Sequence, residues 1–244
     1  MARPRGGDTL SAAATVAADP LEFLRAAERF YAALGAESLG GRLLYAGALD
    51  GAARALLVAA NVAGAASLAV AADAAAQKLA ARDGIADFLV TSLDEALRIL
   101  KNEIRKRATV AVCVGAAAAV VEREMLERGV EPDLVSAAAV AQFTSARVVE
   151  PLAVRGAAVR LEWQVSAMPA LWMPTLDAMA LECVPDAVAQ RWLRLAPRYA
   201  GRAAMGLRVV RCSAAEAEAF SSRVGAAMAC GEIGVPVEIR TTRD

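Results

Sequence analysis

Apolar runs alternate with amphipathic stretches through the middle of the chain. Leu43 to Ala46 is apolar and closes at Gly47, the turn Gly47 to Gly51 follows, and Ala52 to Val62 is rich in alanine and leucine. Gly64 stands where a left-handed helix cap belongs, and Ala66 to Val70 resumes the apolar pattern. The pattern predicts strand, glycine turn, helix, strand. Two more rounds follow. Ala86 to Val90 reads as a strand, Ser92 with Glu95 as a capping box opening a helix through Arg105, and Thr109 to Val114 as the fourth strand. Ala117 to Arg128 reads as a helix capped by Gly129, and Leu134 to Ser136 as the fifth strand. Strands alternating with helices in this way predict a doubly wound, mainly parallel, Rossmann-like sheet that binds ligands beyond its strand carboxyl ends.

The flanks extend this core. Asp19-Pro20 with Glu22 is a helix start, and Leu21, Leu24, Phe30, Tyr31 and Leu34 give that helix an apolar face up to Gly35. Past residue 150 the texture changes, and all three tryptophans lie there. Ala157 to Val165 reads as a strand and Ala167 to Pro174 as an apolar, proline-bounded connector, either core or a lid or subunit contact around Trp172. Leu176 to Met205 reads as helix in two parts, with Pro185 and Pro197 as breaks or starts. Leu207 to Cys212 reads as a strand, Ser213 with Glu216 as a capping box for a helix Ala214 to Ala229, and Val235 to Arg240 as an edge strand. This C-terminal α/β extension either continues the main sheet or forms a layer beside it. The expected organisation is a mobile tail 1–18, a Rossmann-like domain 19–150 and an α/β segment 151–244.

Charge and composition narrow the chemistry. The 27 basic and 27 acidic side chains cancel, and no long block of one sign occurs, so nucleic acid and anionic membrane are not expected partners. The apolar run Ala108 to Val121 is too short to span a bilayer, and the N-terminus lacks a compact apolar signal run, so a cytoplasmic protein is expected. Cys113, Cys183, Cys212 and Cys230 are widely spaced and read as buried free thiols rather than a metal or disulfide framework. No histidine occurs, which excludes imidazole-dependent triads, two-histidine metal sites and histidine acid/base steps. Catalysis, if present, falls to carboxylates, Lys, Tyr, Cys or a bound cofactor, and no metal is expected.

The turn after the first strand is the candidate site. Gly47 suits the tight turn of a dinucleotide fingerprint, and Gly51 or Ala52 the close packing of helix on strand. Leu49 occupies the close-approach position and Asp50 puts a carboxylate where an anion binds, although Arg54 in the first helical turn offsets the charge. A phosphate site and a structural turn capped by Asp50 both remain open. Asp73, just after the second strand, is placed either for an adenosine ribose or as a helix cap.

A family resemblance adds to this reading. LAVAAD (Leu68 to Asp73), DGIADFLVTSLDEAL (Asp83 to Leu97), VCVGAAAAVV (Val112 to Val121) and MLERGVEPDLVSA (Met125 to Ala137) follow one another as the corresponding motifs do in urocanase, whose NAD-binding domain the segment Arg42 to Ser136 resembles. The resemblance implies NAD or a related nucleotide at Gly47, Leu49, Asp50, Gly51, Arg54, Asp73 and Gly115. Thr144 and Ser145, in a segment similar to the family's Gln-Thr-Ser-Ala, join that set, and a homodimer is implied. Departures are concentrated at the same places. Leu49, Asp50 and Ala53 replace members of the family's glycine run, Ala71 its glutamate, Ala116 its asparagine, and Arg147 and Val148 its His-Asp pair. The expectation is a protein binding a nucleotide or small anionic ligand without urocanate hydratase activity. The alternatives are an NAD-dependent lyase on another substrate and a non-catalytic assembly or regulatory protein with a degenerate site.

Overall fold

A computed structural model describes residues 19–153 and 158–243. The expected tail 1–18 lies outside the described residues. The chain runs α1 (Pro20–Leu34), β1 (Leu43–Ala48), α2 (Gly51–Ala63), β2 (Ala66–Val70), α3 (Ala74–Arg82), β3 (Phe88–Val90), α4 (Leu93–Lys106), β4 (Val110–Val114), α5 (Ala118–Glu127) and β5 (Leu134–Ser136). There follow β6 (Arg147–Val149), β7 (Ala158–Gln164), α6 (Pro169–Cys183), α7 (Ala187–Tyr199), β8 (Leu207–Ser213), α8 (Ala214–Ala229) and β9 (Glu238–Thr242).

β1 to β6 form one parallel sheet in the order β3-β4-β2-β1-β5-β6, the doubly wound α/β architecture expected. Strand alternation sorts its two faces. Leu43, Tyr45, Leu68, Val70, Val112 and Val114 point to the core shared with α4 and α5, while Leu44, Ala46, Ala69 and Cys113 point to the core shared with α1 and α2. α4 buries Leu93, Ala96, Leu97 and Leu100 at helical spacing, opened by Ser92 and closed by Arg107 in the left-handed region. α2 is buried from Ala55 to Ala63 because it lies between the sheet and a second helical layer of α1 and α7. Its many alanines let all three come close.

The last ninety residues form a separate antiparallel sheet, β8-β7-β9, rather than an extension of the first. One face meets α8, where Trp163 packs on Phe220 at 4.8 Å. The opposite face meets α1 through charge, with Arg25 donating to both oxygens of Glu162 at 2.6 and 2.8 Å and Arg211 pairing with Glu28 at 3.2 Å. Trp192 of α7 donates from Nε1 to Val209 O at 2.6 Å. The two sheets are thus tied across α1, α2 and α7. A further tie is Gly201 (φ 53°), between α7 and β8, whose Cα faces Asp83 at the end of α3 so closely that a Cβ would overlap the Asp83 carbonyl oxygen.

Several sequence expectations change. Ala167 to Pro174 is not a connector, because from Pro169 onward it is the first half of α6, with Pro174 inside the helix. Proline at the first helical positions is favourable, and one six residues in forgoes a single early hydrogen bond. Trp172 is half-buried against the core, whereas Met168 and Leu171 beside it are 60% and 59% exposed. Pro197 lies inside α7 rather than breaking the chain, and β9 begins after Pro236, at Glu238 rather than Val235, since proline cannot donate to the ladder. β3 is shorter than expected, and β6 has no counterpart in the sequence reading. Among the described residues no helix is long and apolar enough to cross a membrane, and no group of potential metal ligands gathers.

Of the four thiols expected in the core, Cys113 and Cys212 are buried, Cys183 is half-buried and Cys230 is exposed at the end of α8. Burial pushes Cys113 up to about 11 and Cys212 to about 12. A raised folded-state pKa contributes stability that is intact below the ordinary thiol value of 9.0 and is lost as pH rises through the folded value. The free energy of unfolding in urea is therefore expected to fall between pH 9 and about 11, by on the order of 1 kcal/mol per pH unit for each thiol. Cys113→Ala should flatten that slope. At pH 8 a thiol-specific reagent should modify Cys230 in the native state, and Cys113 and Cys212 only after unfolding.

Candidate functional site

The chain leaves β1 for β2 on one side and later returns to place β5 on the other, so the topological switch point lies between the carboxyl ends of β1 and β5. β1 reaches it through a bulge between Tyr45 and Gly47, and Gly47 takes φ 78°, a conformation that disfavours side chains. Leu49 N donates to Val70 O at 2.8 Å, and the Leu49 side chain packs against the core instead of opening the turn. Asp50 is extended, and its Oδ1 accepts from Ala53 N at 2.8 Å, which makes it the cap of α2. The space around the Gly51 Cα is open.

The other polar candidates are engaged elsewhere. Arg54 turns from the loop to Asp83 at 2.6 Å, both side chains being largely buried, so its charge is committed to the end of α3. Asp73 caps α3 with both oxygens, accepting from Ala75 N at 3.0 Å and Ala76 N at 3.2 Å. Gly115 N donates to Val90 O at 2.8 Å, and a Cβ on Gly115 would lie 3.1 Å from Gln77 Nε2, which itself donates to Ala71 O at 2.7 Å. Gln77 therefore sits across the ends of β2 and β4. Thr144 and Ser145 are not at these strand ends. They precede β6, and Ser145 Oγ reaches Glu131 at 3.2 Å, at the amino end of β5, across the sheet from the crevice. The structure thus gathers Gly47, Leu49, Asp50 and Gly51 at one turn, with Asp73 and Gly115 at neighbouring strand ends, and separates Arg54, Thr144 and Ser145 from them.

Two residues at this end of the sheet escaped the sequence reading. Ser136 closes β5, is buried, and its Oγ has no hydrogen-bond partner among the described residues. It stands 3.5 Å from where a Gly47 Cβ would be, facing the turn across the switch point. Its only sequence signal was its position at the end of the fifth strand, within the matched segment ending VSA. Gln77 gave no signal, since a polar helical glutamine is ordinary.

Beneath the crevice, Tyr45 lies fully buried with its hydroxyl on Glu122 at 3.0 Å and its ring edge-on to Phe143 at 5.5 Å. Burial first, and then the Glu122 charge, push its ionisation well above the ordinary phenol range. Tyr45 is therefore a neutral core group and not a base.

A family model described as the urocanase Rossmann-like domain matches residues 21–146. The match takes in α1 and most of the chain up to β6, a longer span than the motifs alone marked. With half the chain covered and a doubly wound parallel sheet in that span, the protein belongs to the urocanase Rossmann-like domain family.

Proposed function

We propose that this protein does not hydrate urocanate, holds no dinucleotide at its switch point, and uses the urocanase Rossmann fold as the frame of a binding or assembly protein. The reading rests on Asp50. A pyrophosphate needs the free amides of a helix start and a turn without side chains. Here a carboxylate caps α2, Leu49 fills the close-approach position, and Arg54, which would offset the charge, is paired with Asp83. Asp73, the ribose candidate, has both oxygens on the amides of α3. As a set these residues do not fit NAD. The absence of histidine supports the same conclusion for acid/base chemistry.

The unpartnered Ser136 Oγ favours a second reading within this frame, a small polar ligand seated between β1 and β5 that takes the Ser136 hydrogen bond. The implied homodimer belongs to the assembly role, and the edge strand β3, with Phe88 48% and Leu89 40% exposed, is the surface we assign to it.

Mass spectrometry of the purified protein and thermal melts with NAD, adenine nucleotides and imidazole acids test the reading. No retained nucleotide and no shift are expected. A ligand at about 100 times its dissociation constant stabilises by roughly 2.7 kcal/mol, so a silent melt is informative. Leu49→Gly combined with Asp50→Gly is expected to create weak NAD binding. Co-purified NAD in the wild type would overturn the proposal. A shift from another small molecule that disappears in Ser136→Ala would favour the second reading.

A further inference from the structure

A second cavity, remote from the switch point, has no role in the reading above. It opens where α1, the start of α7 and the carboxyl end of β8 meet, and has a volume of about 290 Å³. That is close to the lower end of small-molecule sites, which run from roughly 300 Å³. We propose that this cleft binds a small arylalkylamine in its ammonium form.

The wall supplies the apolar half of the argument. Tyr31 of α1 and Trp192 of α7 stack with ring centroids 5.3 Å apart. The Tyr31 hydroxyl donates to Val188 O at 3.2 Å and Trp192 Nε1 to Val209 O at 2.6 Å, so both polar handles are used inside the protein and the rings contribute apolar surface to the cleft. Val188, Ala189 and Ala32 continue this lining with small or branched side chains.

The charged half comes from two helix starts, from mid-α1 and from β8. Glu28, Asp186 and Glu216 line the cleft opposite one cation, Arg211. Arg211 is committed, pairing with Glu28 at 3.2 Å and donating to Leu152 O at 3.0 Å. Asp186 accepts from Ala189 N through Oδ1 at 2.8 Å as the cap of α7, and Glu216 accepts from Ser213 N through Oε2 at 2.7 Å in the capping box of α8. Each bond engages one oxygen and fixes the carboxylate. The cap bonds already use the positive character of the two helix starts, so among the described lining residues an anion finds no uncommitted cation, whereas an ammonium finds preset acceptors beside an aromatic wall. These residues lie on α1 and in the part of the chain beyond residue 146, so the proposal does not depend on the state of the dinucleotide crevice.

Calorimetry on the full chain with tryptamine and phenethylamine, against indole-3-acetate and phenylacetate, tests it. The amines are expected to bind with dissociation constants below about 1 mM, and the acids at least about tenfold more weakly. Asp186→Asn and Glu216→Gln keep the cap geometry while removing charge, and each is expected to weaken amine binding about fivefold without changing the circular dichroism spectrum. Ala32→Phe fills the cleft and should abolish binding in a chain whose carboxylates are intact. Equal affinity for amines and acids, preference for the acids, no binding of the amines at about 10 mM, or amine binding indifferent to all three variants would overturn the proposal.

Discussion

Gly201→Ala is expected to destabilise the protein by about 4 kcal/mol. Two costs add. At φ 53° a β-carbon is strained wherever it points, and here it points into the Asp83 carbonyl, a backbone atom that cannot rotate away. Relief requires the segment between α7 and β8 to withdraw from the end of α3, which would also disturb the Arg54–Asp83 pair at 2.6 Å. Urea unfolding of wild type and variant checks the magnitude, and hydrogen exchange should show the loss of protection at Asp83 and along β8. A variant within about 1 kcal/mol of wild type would mean that the two segments separate freely and that Gly201 does not hold them.

Glu162→Ala is expected to cost about 3 kcal/mol, because it strands a guanidinium. Arg25 grips Glu162 with two hydrogen bonds, and the carboxylate side chain is only 3% exposed. That hydrogen bonding is the main reason the guanidinium holds its proton more tightly than usual, with burial working against it. Without the carboxylate, Arg25 keeps Glu22 on its solvent side, but it faces a strand pair on which Arg160 and Arg211 stand directly opposite one another. The cluster then loses one carboxylate beside three guanidiniums, with Glu28 still paired to Arg211. A double-mutant cycle with Arg25→Leu and Glu162→Leu separates pair energy from packing. The double variant should recover much of the loss, since apolar replacement of a buried pair is often neutral.

The parallel core was legible because its signals are local and mutually consistent. Apolar runs of strand length, Gly64 as a left-handed cap and the Ser92 N-cap each report a boundary within a few residues. The first half of α6 was illegible for the complementary reason. It is apolar on most of its circumference, so no period marks it, and its two prolines imitate a connector. The site divided in the same way. Asp50 and Asp73 were readable as caps because capping is a short-range act. Which end of β5 Thr144 and Ser145 would approach depends on β6 joining the sheet, and three residues of partly exposed strand give too little pattern to announce that. Ser136 and Gly47 are brought together only by β1 pairing with β5, a contact spanning some ninety residues of chain.

The position of α1 has a consequence for biosynthesis. It precedes both sheets in the chain, yet its charged face finds Glu162 only across 137 residues of sequence and Arg211 across 183. Once the chain through β6 has emerged, the parallel sheet and the apolar side of α1 have all their partners, whereas Arg25 and Glu28 still lack those that β7 and β8 supply. The last ninety residues then close over a surface already formed and already charged, in an order that vectorial synthesis imposes and refolding from denaturant does not.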